Sequence, residues 1–407
     1  MDLPGAPLKA SQETSWKRLF SNALDSEPQR LHFASHSHHP WPDASREAQL
    51  RAWQDAATHL DAKWDGIFGE LMPEVRGHIA RVLGLSRPDN IALAPNTHEF
   101  ILRLFSCFDM KRPLRVLSTD SEFHSFARQT ARLEEAQRLE ITRIATEPFE
   151  TFPERFAAAA EELNPDLIFV SHVFFNSGYV YRQVFDLAAK VDPKTYFVVD
   201  GYHGFMALPT DLAPVEDRIF YLAGGYKYAM AGEGVCFLSC PDGYALRPEN
   251  TGWFASFGAL DQAESQGVPY SVDGFRMAGS TFDPSGLYRL SAVMKLLRDE
   301  GLEVALMEAH VQRLQKHFLA RIASGQEGQS TGLSIDDLLP GVQTELRGRF
   351  LTFRVADAAT RCAELARAGV VTDSRADRWR FGFGIYHDEA DVDELVRRLA
   401  RAFGSTR

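Results

Sequence analysis

Cysteine is scarce in this chain of 407 residues: Cys107, Cys236, Cys240 and Cys362 are all it has, without a CxxC pair or zinc-ribbon spacing. That excludes a disulfide framework and a cysteine-built metal site, and the four read as reduced, mostly buried thiols. Long apolar runs are missing too. No stretch reaches the roughly 18 apolar residues of a membrane span, and residues 1–20 lack the apolar core of a secretory leader. A cytoplasmic protein is therefore expected. Positive charge is not in excess either: 44 Lys and Arg against 55 Asp and Glu leave a net charge of −11, which argues against nucleic acid, polyanions and membrane surfaces as partners. No GxGxxG turn follows a strand, since Gly232-Glu233-Gly234 lacks the third glycine, so a dinucleotide-binding dehydrogenase is disfavoured. No internal repeat is visible.

What the chain does have is apolar residues in a particular rhythm. With 45% hydrophobic residues it can bury a large core and is expected to divide in two. Strand-like runs at 91–93, 115–118, 141–144, 167–171, 196–200, 219–222 and 235–239 alternate with helical patterns at 99–108, 125–138, 153–163 and 184–191. This is the rhythm of an α/β domain, a mostly parallel central sheet flanked by helices. After Pro284 come long helices at 287–298 and 302–323 and a Gly/Ser/Gln-rich loop at 324–332. Strands follow at 350–355, 370–372 and 379–383, with helices at 358–368 and 388–403. Asp388 is the expected N-cap of the last helix, with Asp391 near its third position. The expected division is an N-terminal segment, 1–60, packing with the small domain; a large cofactor-binding domain, 61–285; and a smaller α+β C-terminal domain, 286–407.

Lys227 stands out within this pattern. It lies between Tyr226 and Tyr228, after Gly-Gly, just beyond the run at 219–222, where a buried strand ends. A lysine there is either an ordinary loop residue or an amine poised to form a Schiff base. Asp200 ends the apolar run at 196–199 and is followed by Gly201, Tyr202 and His203. Alone it reads equally well as a turn residue. Two adjacent parallel strands would bring both groups to one sheet edge, where open α/β folds place ligands. A cofactor that needs an amine, a carboxylate and phosphate donors together is pyridoxal phosphate (PLP).

Asp200-x-x-His203, followed 27 positions after Asp200 by Tyr226-Lys227-Tyr228, resembles the class V aminotransferase superfamily of fold type I PLP enzymes, and within it the kynureninases. The similarity runs from about residue 30 to the C-terminus. It implies Lys227 as the imine lysine, Asp200 as the partner of the pyridine nitrogen, His203 close to the ring and Tyr226 as a phosphate contact. It also implies that Asn96 and Thr97, opening a helix after the strand at 91–93, help hold the phosphate. Phe123 is expected to stack on the cofactor, with His124 the alternative, and Ser177 or Asn176 to touch the ring oxygen. Arg380 is expected to grip the substrate carboxylate as a planar fork, with Arg375 and Arg378 nearby as alternatives. Trp253 and Thr281 match positions that complete the phosphate site across a homodimer. His36 and His38, in a loop with His39, are expected to face the substrate rather than a metal. Ser280-Thr281 and the 35–38 loop depart from the kynureninase pattern, and both departures fall on the substrate side.

The resemblance implies an enzyme acting on an amino acid as its small-molecule substrate. Kynureninase-like hydrolysis of a carbon–carbon bond is the leading expectation, favoured slightly by Trp41, Phe123, Trp253, Phe254 and Phe257. Transfer of the amino group to a keto acid is the alternative, and a noncatalytic binding protein on the same scaffold is the reading from another class. Cysteine desulfuration is disfavoured because residues 331–350 carry no cysteine.

Overall fold

The computed structural model describes residues 15–109, 111–259, 267–324 and 331–404. The first 14 residues, most of the 324–332 loop and the side chain of Phe257 lie outside the described residues. Seven strands form the main sheet, in the spatial order Ile91–Ala94, Cys236–Ser239, Ile219–Gly224, Tyr196–Asp200, Leu167–Ser171, Leu114–Thr119 and Leu139–Ile144. Only Cys236–Ser239 runs antiparallel to its neighbours. The central strands are buried along their length, which is why they read as unbroken apolar runs rather than alternating ones. Thr97–Phe105, His124–Glu135 and Phe152–Leu163 are the crossover helices.

Element ends differ from the sequence expectation where caps decide them. The first crossover helix opens at Thr97, two residues early, because the Asn96 side chain accepts the Glu99 N–H at 3.1 Å and so caps that turn. The helix expected at 184–191 closes at Ala188, where Lys190 N–H bonds back to Leu187 rather than continuing the α pattern. Asp388 and Asp391 form a reciprocal capping box at the start of Glu389–Phe403, as expected.

The C-terminal part is a four-stranded antiparallel sheet, Asp373–Arg375, Arg378–Gly382, Phe350–Arg354 and Leu338–Leu339. Phe318, Phe353, Trp379, Phe381 and Leu395 share a core with its helices. Val370–Val371 pairs instead with Leu31–His32, in parallel. Phe33 carbonyl then accepts Gly382 N–H at 2.7 Å. A β-carbon on Gly382 would lie 2.3 Å from His36 Nδ1, so glycine is what lets the 33–36 segment lie so close. The following helix, Asp43–His59, packs elsewhere, on Ser285–Asp299, with Tyr288 donating to Asp55 at 2.9 Å. Among the described residues no helix is long and apolar enough to cross a membrane.

Candidate active site

Three strand ends build the floor of the site. Tyr196–Asp200 lies between Ile219–Gly224 and Leu167–Ser171, all parallel, with Asp200 in register with Ser171 on one side and Leu222 on the other. After Asp200 the chain turns at Gly201, where a β-carbon would sit 2.0 Å from the Tyr221 ring. After Gly224 it turns again and carries Lys227 back over the same edge. A cavity of about 480 Å³ opens there, and Lys227, Asp200, His203, Tyr226, Phe123, Asn96 and Thr97 all line it. The lysine and the aspartate therefore share one cleft.

Burial governs the electrostatics. Lys227 is buried, and loss of water lowers its ammonium pKa to about 7, against the opposing pull of Asp200 and with help from the Arg380 charge. Its Nζ lies 2.8 Å from His203 Nε2. The His203 ring is held well below its ordinary pKa by burial and by the neighbouring Lys227, so it is neutral. Burial raises the pKa of Asp200, while the Tyr202 N–H, donating at 2.9 Å, and the Lys227 charge lower it. The rings of Tyr202, Phe123 and Tyr226 lie 4.6, 5.5 and 5.5 Å from Nζ, so the amine sits among aromatic faces.

Several expected residues stand elsewhere. Ser177 is buried, and its hydroxyl accepts Tyr179 N–H at 3.2 Å, closing its own turn before Gly178; it does not line the cavity. Asn176 donates to Ser121 at 3.0 Å and is also outside the lining. Trp253 and Thr281 are exposed and away from the cavity of their own chain. His36 and His38 diverge, because Ser37 and His38 N–H both turn back onto the Ala34 carbonyl. His36 is fully buried, stacked 4.6 Å from Phe350, with both ring nitrogens lacking a hydrogen bond. His38 is exposed and stacks on Tyr226 at 5.3 Å.

Arg380 is more constrained than a free carboxylate ligand would be. It is buried and donates to Asp373 at 2.7 Å and to the Phe175 carbonyl, leaving Nε without a hydrogen bond. It stands behind Phe175, which lines the cavity. Arg375 is taken by the other oxygen of Asp373, and Arg378 by Glu147. Tyr202, Ser171, Phe175 and Cys236 line the cavity without having been expected there. Tyr202 was legible only as a turn residue beside Asp200, and Cys236 only as a strand residue.

These groups fit a phosphorylated pyridine aldehyde. A buried carboxylate accepts a single protein hydrogen bond among the described residues, an amine has its pKa lowered to about 7, so that a large share of it is unprotonated at physiological pH, and a helix N-terminus opens at the other end of the cavity. Asn96 spends its side-chain oxygen on the helix cap, so the phosphate would meet its amide and the first turn of backbone N–H groups. Fold and site together define a fold type I PLP enzyme. The chain belongs to the class-V aminotransferase family, whose pattern it matches over residues 57–395. Pyridoxal phosphate is its cofactor.

Solved structures agree on the fold. A cysteine desulfurase from Thermococcus onnurineus NA1 is 16% identical, with a TM-score of 0.75 over 96% of this chain and 99% of its own. The cysteine desulfurase CsdA from Escherichia coli is 16% identical, with a TM-score of 0.75 over 95% and 97%. A lysine-to-alanine variant of C-DES, with glycine covalently linked to its PLP cofactor, is 16% identical, with a TM-score of 0.78 over 95% and 99%. A comparison with curated proteins gives no match.

Proposed function

We propose that this PLP-dependent enzyme hydrolyses the Cβ–Cγ bond of an amino acid whose γ-carbon is an aryl or acyl ketone, in the manner of the kynureninases. The observation that carries the reading is the aromatic enclosure of the amine: Tyr202, Phe123 and Tyr226 around Lys227, with Phe175 on the same cavity wall. Such a wall favours an aryl side chain. Bound PLP supplies an electron sink for the substrate α-carbon. Lys227, its pKa lowered to about 7 and its amine 2.8 Å from a neutral His203, removes and returns the α-proton. Asp200 keeps the ring nitrogen protonated. Arg380, behind Phe175 on the cavity wall and held at its two terminal nitrogens by Asp373 and the Phe175 carbonyl, is the group assigned to the substrate carboxylate, with its Nε the nitrogen that has no hydrogen bond.

The thiols support this reading over desulfuration by a protein cysteine. Burial pushes Cys236, the one cysteine lining the cavity, up to about 12, and it contacts Tyr202 OH at 3.4 Å. Burial likewise raises Cys107 and Cys240, so none of the three is a ready nucleophile. The exposed positions of Trp253 and Thr281 suit groups delivered to a second subunit, and the proposal includes a homodimer. Incubation with L-kynurenine should release anthranilate and L-alanine. Release of a keto acid from other amino acids, with no anthranilate, would replace hydrolysis by transamination.

A further inference from the structure

Glu122 is a buried carboxyl group that the reading above does not use. It lies 5% exposed behind the floor of the cavity, and no lysine, arginine or histidine pairs with it among the described residues. An ionised carboxylate in that position would lack a compensating cation. Its hydrogen bonds are unevenly shared between its oxygens. Oε1 takes two: Ser171 N–H at 3.2 Å and Thr119 Oγ1 at 2.8 Å. The Thr119 hydroxyl oxygen itself accepts Ser121 N–H at 3.1 Å, so its hydrogen is free to point at Glu122. Oε2 has one partner, Ser171 Oγ, at 2.5 Å. A carboxylate could accept all three of these bonds; in the protonated form the short contact makes Oε2 the hydroxyl and Oε1, with its two donors, the carbonyl.

The second oxygen of that short contact belongs to the site. Ser171 lines the cavity and stands in register with Asp200 on the neighbouring parallel strand. If Glu122 donates to Ser171 Oγ, the Ser171 hydrogen is released from Glu122 and turns to the cavity beside Asp200. We propose that Glu122 is a positioning residue that works in its protonated form, donating to Ser171 so that the serine hydroxyl presents its hydrogen to the cofactor, and leaving Asp200 the sole anion of the floor.

The charges around it point the same way. Burial, opposed by the Ser171 and Thr119 hydroxyls and aided by the nearby Asp200 charge, raises the Glu122 pKa to about 8. His172, next to Ser171, is kept neutral by burial, at about 4, and brings no compensating charge at neutral pH. The buried Lys227 acts on Asp200. Two carboxyls in one buried region with so little positive charge oppose each other's ionisation; Asp200, the one on which the Lys227 charge acts, keeps the charge.

Infrared difference spectra of the cofactor-free protein test the proton directly. Wild type minus Glu122→Gln should show the carbonyl stretch of a protonated carboxylic acid at pH 7, fading as pH rises through about 8. In an Asp200→Asn background the same signal should fade at lower pH. No such signal at pH 7 would overturn the proposal. Because this arm needs no cofactor, its failure is distinguishable from failure of the catalytic reading, on which the role of Ser171 rests. A second arm measures PLP affinity. Glu122→Gln keeps a neutral donor and should stay within about twofold of wild type, whereas Glu122→Ala and Ser171→Ala should each weaken binding about fivefold. The double Ala variant should lose no more than either alone. Additive losses would overturn action through Ser171.

Discussion

Asp200→Asn should fold, bind PLP weakly and turn over substrate roughly 100- to 10,000-fold more slowly than wild type, the range expected when a charge aimed at the reacting system is removed. The substitution keeps the geometry. The Asn oxygen can still accept the Tyr202 N–H that Asp200 accepts at 2.9 Å, and the end of Tyr196–Asp200 stays in register with Ser171 and Leu222. Only the negative charge is lost, and with it the force that keeps the pyridine nitrogen protonated. The loss should appear in kcat more than in KM, because the charge acts on the electron demand of the reaction and not on the substrate's own contacts. A parallel measurement of the Lys227 amine in the cofactor-free protein adds a sign check. Asp200 raises the Lys227 pKa, so removing its charge should move that pKa below about 7.

Arg380→Lys should separate carboxylate recognition from fold. Deleting the side chain would leave the buried Asp373, bonded to Arg380 at 2.7 Å, with Arg375 as its one remaining cation, and so confound binding with stability. Lysine keeps a positive charge for Asp373 but cannot hold Asp373, the Phe175 carbonyl and a substrate carboxylate at once, because it lacks the planar fork. Hydrogen bonds to charged groups are each worth about 1.5–3 kcal/mol. KM should therefore rise roughly tenfold to a hundredfold, with kcat changed much less. An unchanged KM would assign the substrate carboxylate to another group, with the buried His36, whose ring nitrogens have no hydrogen bond, the next to examine.

The parts of this site legible in the sequence are those fixed by strand chemistry. A strand buried on both faces writes itself as a continuous apolar run, so its polar exit residue is conspicuous. Asp200 was visible for that reason, and Lys227 for its place beyond the next such run. Thr97 was visible as the start of a helix. Other assignments depended on contacts that a linear pattern does not carry. A serine after a strand can serve a ligand or its own turn, and Ser177 does the latter. Arg380 was found, but its pairing with Asp373 follows from the antiparallel register of a strand only three residues long, too short to read from periodicity. The alternating histidines at 36 and 38 suggested a shared direction, which the tight turn at Ala34 removes. Glu122 sits in a segment noted for its phenylalanine. Its significance depends on Ser171, at the end of the neighbouring strand Leu167–Ser171 and 49 positions away.

The central claim is that Lys227 carries the cofactor opposite Asp200, and one measurement addresses it most directly. The purified protein, supplied with PLP, is reduced with borohydride, digested and mapped by mass spectrometry. The account predicts a visible absorption band that borohydride abolishes, the reduced cofactor mass on the peptide containing Lys227, and neither in Lys227→Ala. A reduced cofactor on a different lysine, or a protein that PLP leaves colourless, would contradict it.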